Sequence, residues 1–332
     1  MMNGVQKEII SHIRDYDYEV VCGSVGTEFP EEYEIPRENT GTLKDQGNVG
    51  ACVAEVIAQI AENWYSKQTG EKTEMSEGFI YGALRKDTST SEGMLVSVAM
   101  DLWTSIGTLP KKYFDVLKEM PEIKKIVAKF PEFYELASKY KLKGYVSFHY
   151  NTDKRDLAIK DALTKYKYGL LAVSNDYFRG AHCIQLTGWN DKTGKYKFKN
   201  SWGKNYGDDG YSEIPKDEIN NVYLPLFEEI KLPFTDVDES AWYFDDVKKI
   251  HFSGFMKGTS ETTFEPDRPL TRAETATLFN RLNKEIDKRF DVLSRVFDEK
   301  VQAKPRLKLT DRLRNVVEQW RYLIAKIKKL IH

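Results

Sequence analysis

The chain contains three cysteines (Cys22, Cys52, Cys183) and five histidines (His12, His149, His182, His251, His332). A thiol attacks a carbonyl carbon as the thiolate, and a neighbouring imidazolium or helix N-terminus lowers its pKa enough for this at neutral pH. Cys52 follows Gly47-Asn48-Val49-Gly50-Ala51, small residues that let backbone approach a substrate. It also opens the strongest helical pattern in the chain, in which Val53, Val56, Ile57 and Ile60 recur at three- and four-residue steps. A helix start supplies unpaired N–H groups and positive potential. The oxyanion formed on attack needs donors, and the Cys52 N–H and the Gln46 side-chain amide are of the right kind.

The base must be a histidine. His182 lies in Gly180-Ala181-His182-Cys183-Ile184-Gln185-Leu186, a strand pattern entered from a glycine, 130 residues after Cys52. Asn200 follows in Lys199-Asn200-Ser201-Trp202-Gly203. An Asn amide oxygen accepts an imidazole N–H, fixes the tautomer and leaves the other ring nitrogen to pair with sulfur. The neighbouring Trp202 indole would shield that hydrogen bond from water and strengthen it.

The elements around these residues read in two halves. Helical patterns cover 51–65, 76–86, 93–106 and a Lys/Glu-rich stretch at 111–140. Strand patterns then dominate: 144–150, 169–174, 182–189 and 195–200, with a helix at 154–167 and Asn/Asp/Gly turn chemistry at 190–194. Helices first and antiparallel strands second predict an α+β domain of two lobes with a catalytic cleft between them. Residues 1–28 form an N-terminal extension with a short helix at 5–14, and 29–49 read as irregular chain.

Gln46-Gly47-Asn48-Val49-Gly50-Ala51-Cys52, Gly180-Ala181-His182 and Asn200-Ser201-Trp202-Gly203-Lys204-Asn205-Tyr206-Gly207-Asp208-Asp209-Gly210-Tyr211 together resemble the papain family (C1) of cysteine peptidases. The resemblance covers residues 29–217. It implies a papain-like two-lobed fold, with Cys52, His182 and Asn200 as catalytic residues and Gln46 in the oxyanion hole. It also implies that Gly93 bonds the substrate backbone and that Trp202 lines the substrate site. Departures from the family are Val49 where a cysteine is common, Val53 for an aromatic, Glu55 for an apolar residue, and Ala181 before the histidine. The 28 residues ahead of the domain are too few for the family's inhibitory pro-segment, so the enzyme is expected to be made active or restrained in another way.

Residues 218–233 read as a linker. Phe234-Thr235-Asp236-Val237, Trp242-Tyr243, Gly254-Phe255-Met256-Lys257-Gly258, Phe264-Glu265-Pro266-Asp267 and Leu270-Thr271-Arg272-Ala273-Glu274 then follow in an order that resembles one S-layer homology (SLH) module at 234–282. This resemblance implies a small helical unit that binds a bacterial secondary cell-wall polysaccharide, with Asp236, Trp242 and Arg272 as ligand contacts. Arg suits anionic groups and Trp suits sugar faces. Asp236-Val237-Asp238 lacks the Gly and Glu of a calcium loop, and no metal or cofactor is expected.

In the 283–332 tail, Leu313, Val316, Trp320, Leu323, Ile327 and Leu330 step by 3, 4, 3, 4, 3, a heptad seam on an amphipathic helix with a basic polar face. A homo-trimer through this helix, an anionic membrane surface and docking on its own domain are the arrangements it allows.

Formal net charge is −1, so the whole molecule gives no sign of nucleic-acid binding, although residues 301–332 hold nine Lys/Arg against two Asp/Glu. No stretch reaches the roughly 20 apolar residues of a membrane span. Residues 1–18 lack the apolar core of a secretory signal, and three cysteines do not make a disulfide framework. The reading is a thiol endopeptidase acting on polypeptides and tethered to the bacterial wall. Its rivals are a lysin cutting peptidoglycan peptides and a structural or adhesive envelope or virion protein with an idle peptidase fold. Synthesis in the cytoplasm followed by action at the envelope, or carriage in a phage particle, reconciles the wall module with the missing signal.

Overall fold

The structure is a computed structural model that describes residues 15–16, 18, 22, 24–85, 92–148, 153–228, 232–252 and 256–284. It divides into two compact units, residues 1–268 and 269–332.

In the first unit the chain order is β1 (Asp15–Tyr16), β2 (Glu32–Glu34), α1 (Cys52–Thr69), α2 (Glu77–Ala83), α3 (Val96–Ser105), α4 (Glu122–Val127), α5 (Glu132–Ala137) and β3 (Gly144–Ser147). There follow α6 (Asp153–Tyr166), β4 (Leu170–Ser174), β5 (His182–Asn190), β6 (Lys195–Lys199), β7 (Tyr211–Pro215), β8 (Asn221–Leu226) and α7 (Phe244–Phe252). The strands form one sheet in the order β1-β3-β8-β4-β5-β6-β7, with β2 added to β5. Every pairing is antiparallel except β1 with β3. This is the expected helical lobe followed by an antiparallel β lobe.

Helix α1 is buried along most of its length, stops at Gly70 in the left-handed conformation, and has no side-chain cap at Ala51. Its first N–H groups therefore keep their positive potential beside Cys52. The helix packs on β4 and β5. Strand β4 is buried throughout and β5 nearly so, because helices cover one side and chain the other. β2 reaches β5 only because Gly188 has no side chain: a Cβ there would lie 2.1 Å from the Tyr33 carbonyl oxygen.

Three expectations are corrected. Residues 218–233 are not simply a linker, since β8 lies there between β3 and β4 with Val222 to Leu226 buried. Pro225 pairs opposite Tyr145, and its carbonyl accepts the Tyr168 hydroxyl at 2.5 Å. The helical stretch at 111–140 is two short helices, each started by a proline, Pro121 and Pro131. Within 29–49, read as irregular, β2 joins the sheet.

The expected helix at 5–14 lies outside the described residues, as do His12, His149, Gly254-Phe255 and the whole heptad seam with His332. Part of the 1–28 extension is docked on α6. Tyr18 Oη donates to Asp161 at 2.5 Å, and Lys165 Nζ donates to the Cys22 carbonyl at 2.6 Å. None of the three cysteines is in a disulfide, and all three are buried. No described helix is long and apolar enough to cross a membrane.

After the sheet, Phe234, Val237 and Val247 make a small core with Leu232, Tyr243, Phe244 and Phe264 around them, and His251 packs edge-on against Phe234. In the second unit, a helix at 272–284 starts with a capping box. Thr271 Oγ1 accepts the Glu274 N–H at 3.2 Å, and Glu274 Oε2 accepts the Thr271 N–H at 2.9 Å.

Beneath the cysteine-bearing turn lies a buried charge network. Lys44 Nζ contacts Glu62 and Glu77, each at 2.5 Å, and Glu62 also accepts the Thr42 and Met75 N–H groups at 2.9 Å. Glu55 is buried beside this network with Oε2 unbonded, and burial followed by the Glu77 charge drives its carboxyl well above the ordinary range. Unfolded, Glu55 loses its proton above pH ~4.5; folded, it keeps the proton, so its contribution weakens as pH rises from there. Glu55→Gln is expected to gain on wild type in urea-unfolding free energy as pH rises from 5 to 8, by up to about 1.4 kcal/mol per pH unit. A difference independent of pH would contradict the buried neutral carboxyl.

Candidate active site

The site is built from three pieces of chain. The first is the turn before α1, with Gln46 and Cys52. The second is the start of β5, with His182. The third follows β6, with Asn200, Ser201 and Trp202. A continuous run of hydrogen bonds joins them. The Gln46 N–H donates to the Ser201 carbonyl at 2.9 Å, and Ser201 Oγ donates to Gln46 Oε1 at 2.6 Å. The Ser201 N–H donates to Asn200 Oδ1 at 2.8 Å, and His182 Nε2 lies 2.8 Å from the same oxygen. The Asp45–Trp202 bridge runs beside these bonds.

This arrangement decides the histidine tautomer. A backbone N–H needs an acceptor, so the Asn200 atom facing Ser201 is oxygen, and His182 Nε2 must be the donor to it. Nδ1 then carries the lone pair of the neutral ring; it is buried and makes no hydrogen bond within the protein. Trp202 stacks on the imidazole with centroids 4.5 Å apart and planes at 27°, which keeps water from the His182–Asn200 bond.

Cys52 and His182 have no exposed surface. Part of the cover is aromatic: Phe178, in the loop between β4 and β5, meets the His182 ring edge-on at 4.8 Å and Trp202 at 5.6 Å. Burial pushes His182 down to about 4, against the smaller opposing effect of the Asn200 hydrogen bond.

Gln46 is buried, and one Nε2 hydrogen donates to the Val49 carbonyl at 2.8 Å. Gly93 sits against Gly50, but its N–H donates to Tyr81 Oη at 3.1 Å, so any bond from Gly93 to a substrate falls to its carbonyl. The structure thus gathers Gln46, His182, Asn200 and Trp202 through direct contacts and sets Cys52 and Gly93 on the adjoining turn and edge. Sequence reasoning missed Ser201, Phe178 and Glu92. The adjacent aromatics Tyr177 and Phe178 in an otherwise polar turn were a signal for the second; Glu92 offered none.

The three wall-ligand candidates differ in exposure and in hydrogen bonding. Trp242 is 89% exposed. The Asp236 carboxylate already accepts the Phe264 N–H at 2.8 Å and the Glu265 N–H at 2.7 Å, and these bonds hold its pKa below the usual carboxylate range. Arg272, in the second unit, is exposed in the first turn of its helix.

Residues 29–225 match the papain family of cysteine proteases, and residues 233–276 match the S-layer homology domain. The chain belongs to the papain family: it is a cysteine protease, a hydrolase, followed by an S-layer homology domain. Xylellain, a cysteine protease from Xylella fastidiosa, superposes with a TM-score of 0.53 at 19% identity, covering 68% of this chain and 96% of that one. At that identity the likeness speaks for the fold. Procathepsin B S9 from Trypanosoma congolense overlaps 68% of this chain and 87% of its own at 15% identity, with a TM-score of 0.48. Gamete and mating-type specific protein A of Dictyostelium discoideum is 33% identical over 75 residues; that segment is 21% of this chain and 17% of the relative.

A depressed His182 means that the folded ring takes up a proton only near pH 4. The unfolded histidine takes one up near 6.5. Stability due to His182 is therefore complete above pH ~6.5 and is lost as pH falls toward 4. Relative to His182→Gln, wild type is expected to lose up to about 1.4 kcal/mol per pH unit across that window in urea unfolding. Parallel profiles for the two proteins would contradict it.

Proposed function

We propose that the protein is an endopeptidase working through Cys52, His182 and Asn200, held at the bacterial wall by the module at 234–282. The observation that carries the catalytic part is the run of hydrogen bonds from Gln46 through Ser201 and Asn200 to His182. It orients the imidazole with Nδ1 free to take the thiol proton. The sulfur adds to the peptide carbonyl carbon, and the carbonyl π pair moves to oxygen. The Cys52 N–H and the second Nε2 hydrogen of Gln46 hold that oxyanion. His182 gives its proton to the leaving amine as the C–N bond breaks, leaving a thioester. Water, deprotonated by His182, attacks the thioester and releases the carboxylic acid, and sulfur recovers its proton.

In the wall-binding part, Trp242 is the sugar-stacking platform and Arg272 binds anionic groups of the secondary polysaccharide. Asp236, occupied by two backbone N–H groups, shapes the loop. A second reading is favoured by the complete burial of Cys52 and His182: the peptidase fold is idle and the protein is a structural component of the envelope.

Incubating an unfolded polypeptide with the full chain and identifying the fragments by mass spectrometry separates the two. Internal cleavage by wild type, reduced at least 10³-fold in Cys52→Ala, is the expected result; equal fragments or none from both proteins supports the idle fold. Trp242→Ala is expected to weaken sedimentation with purified Gram-positive wall sacculi roughly tenfold, a loss of about 1.4 kcal/mol. Unchanged sedimentation, or sedimentation that survives extraction of the secondary polymer, would contradict the tether.

A further inference from the structure

One carboxylate beside the site joins chain segments far apart in sequence. Glu92 Oε2 accepts the Gly50 N–H at 3.1 Å and the Tyr81 hydroxyl at 2.5 Å, while Oε1 accepts the Met120 N–H at 2.7 Å. Tyr81 Oη in turn accepts the Gly93 N–H at 3.1 Å. The connected segments are the turn that ends at Cys52, helix α2, the Gly93 edge and the turn before α4. Their backbones are close. A Cβ on Gly50 would lie 3.0 Å from the Gly93 nitrogen and 3.1 Å from Glu92 Cβ. A side chain at position 50 would press the Gly93 edge back by a few tenths of an ångström.

We infer that Glu92 is a positioning residue for peptide hydrolysis, a carboxylate clamp that fixes the Gly50 turn and the Gly93 edge relative to each other. The inference rests on the thiol-peptidase reading. The physical argument is that of a carboxylate with three donors, an acceptor-only group whose lone pairs suit three converging N–H and O–H groups. No neutral side chain of the same size does this. A glutamine in its place keeps one oxygen and sets an NH2 against a donor, so at least one of the three bonds is lost and its partner is left unsatisfied. Through Oε2 the clamp turns the Gly50 peptide, two residues before the nucleophile. Through Tyr81 it turns the Gly93 peptide so that the N–H faces inward and the carbonyl is left for a substrate N–H. The first contact bears on the sulfur's placement, which a small shift degrades. The second bears on substrate binding.

The two contacts are separable. Glu92→Gln disturbs both; Tyr81→Phe removes only the link to Gly93. The full chain is assayed on a peptide substrate, with active sites titrated by an epoxysuccinyl thiol reagent so that any loss of folded enzyme is divided out. Glu92→Gln is expected to lower kcat/KM at least tenfold, with kcat itself reduced. Tyr81→Phe is expected to raise KM severalfold with kcat within twofold of wild type. A purely structural role would lower thermal stability and the active fraction but leave the kcat and KM of the titrated enzyme unchanged. Values within twofold of wild type for both variants overturn the clamp, and Tyr81→Phe decides the matter alone if Glu92→Gln does not fold. Wild type that takes up no reagent at Cys52 overturns the peptidase reading and this inference with it, whereas labelled wild type with unaffected variants overturns the clamp alone.

Discussion

Asn200 Oδ1 is the atom on which the site's geometry turns. It receives two donors, the His182 ring and the Ser201 N–H, inside a buried space roofed by the Trp202 indole. The backbone donor settles which end of the amide faces the ring, and that settles which imidazole nitrogen is basic. Because Ser201 is also bonded twice to Gln46, the orientation of the histidine and the placement of the Gln46 turn are set by one connection. In water such bonds would be worth little. Buried, each unmade partner would cost about 1–3 kcal/mol, so the constellation is held together by what breaking it would leave unsatisfied.

The same principle extends through the floor of the helical lobe. The stretch 40–46 has no regular partner strand, and buried cations tie it down. Lys44 is clasped by Glu62 and Glu77, and Lys199, next to Asn200, donates to the Thr40, Gly41 and Thr42 carbonyls at 3.1, 2.7 and 3.0 Å. Burial lowers Lys199 to about 7, against the smaller opposing effect of the Glu62 charge. Val49 stands where the family commonly has a cysteine, and the Glu92 bonds fasten the neighbouring Gly50 without a covalent link. With no disulfide among its three cysteines, the chain holds these loops by hydrogen bonds and charge.

Much of this was legible in the sequence, for a physical reason. Cys52, His182 and Asn200 sit in short motifs whose local chemistry, a helix start, a glycine-entered strand and an Asn-Ser-Trp turn, can be read without tertiary knowledge. β4 and β5 were legible because their apolar runs end in turn residues, and β6 because Lys-Tyr-Lys-Phe-Lys alternates directly after the Asn/Asp/Gly turn. β8 was not, since Pro225 signals a break and the strand is stabilised by β3 and β4, some 50 to 80 residues earlier. The 111–140 stretch looked like one helix because charge pattern outweighed Pro121 and Pro131. Glu92 was invisible for a deeper reason: its donors come from positions 42, 11 and 28 residues away, and only folding brings them to one carboxylate. Conversely, Asp236 was read as a ligand contact from its motif, and its bonds from the Phe264 and Glu265 N–H groups, 28 and 29 residues away, were not legible there.

The central claim is that the Cys52 sulfur and the His182 ring share one proton, so that thiolate exists well below the range of an ordinary thiol. The direct measurement is the rate of Cys52 alkylation by iodoacetamide from pH 5 to 9, mapped by mass spectrometry, in wild type and His182→Ala. The account predicts a wild-type rate that stays high down to about pH 5 and a variant rate that rises only toward the ordinary thiol pKa near 8.5. Superimposable profiles, both rising only near 8.5, would mean that the two residues do not act as a pair.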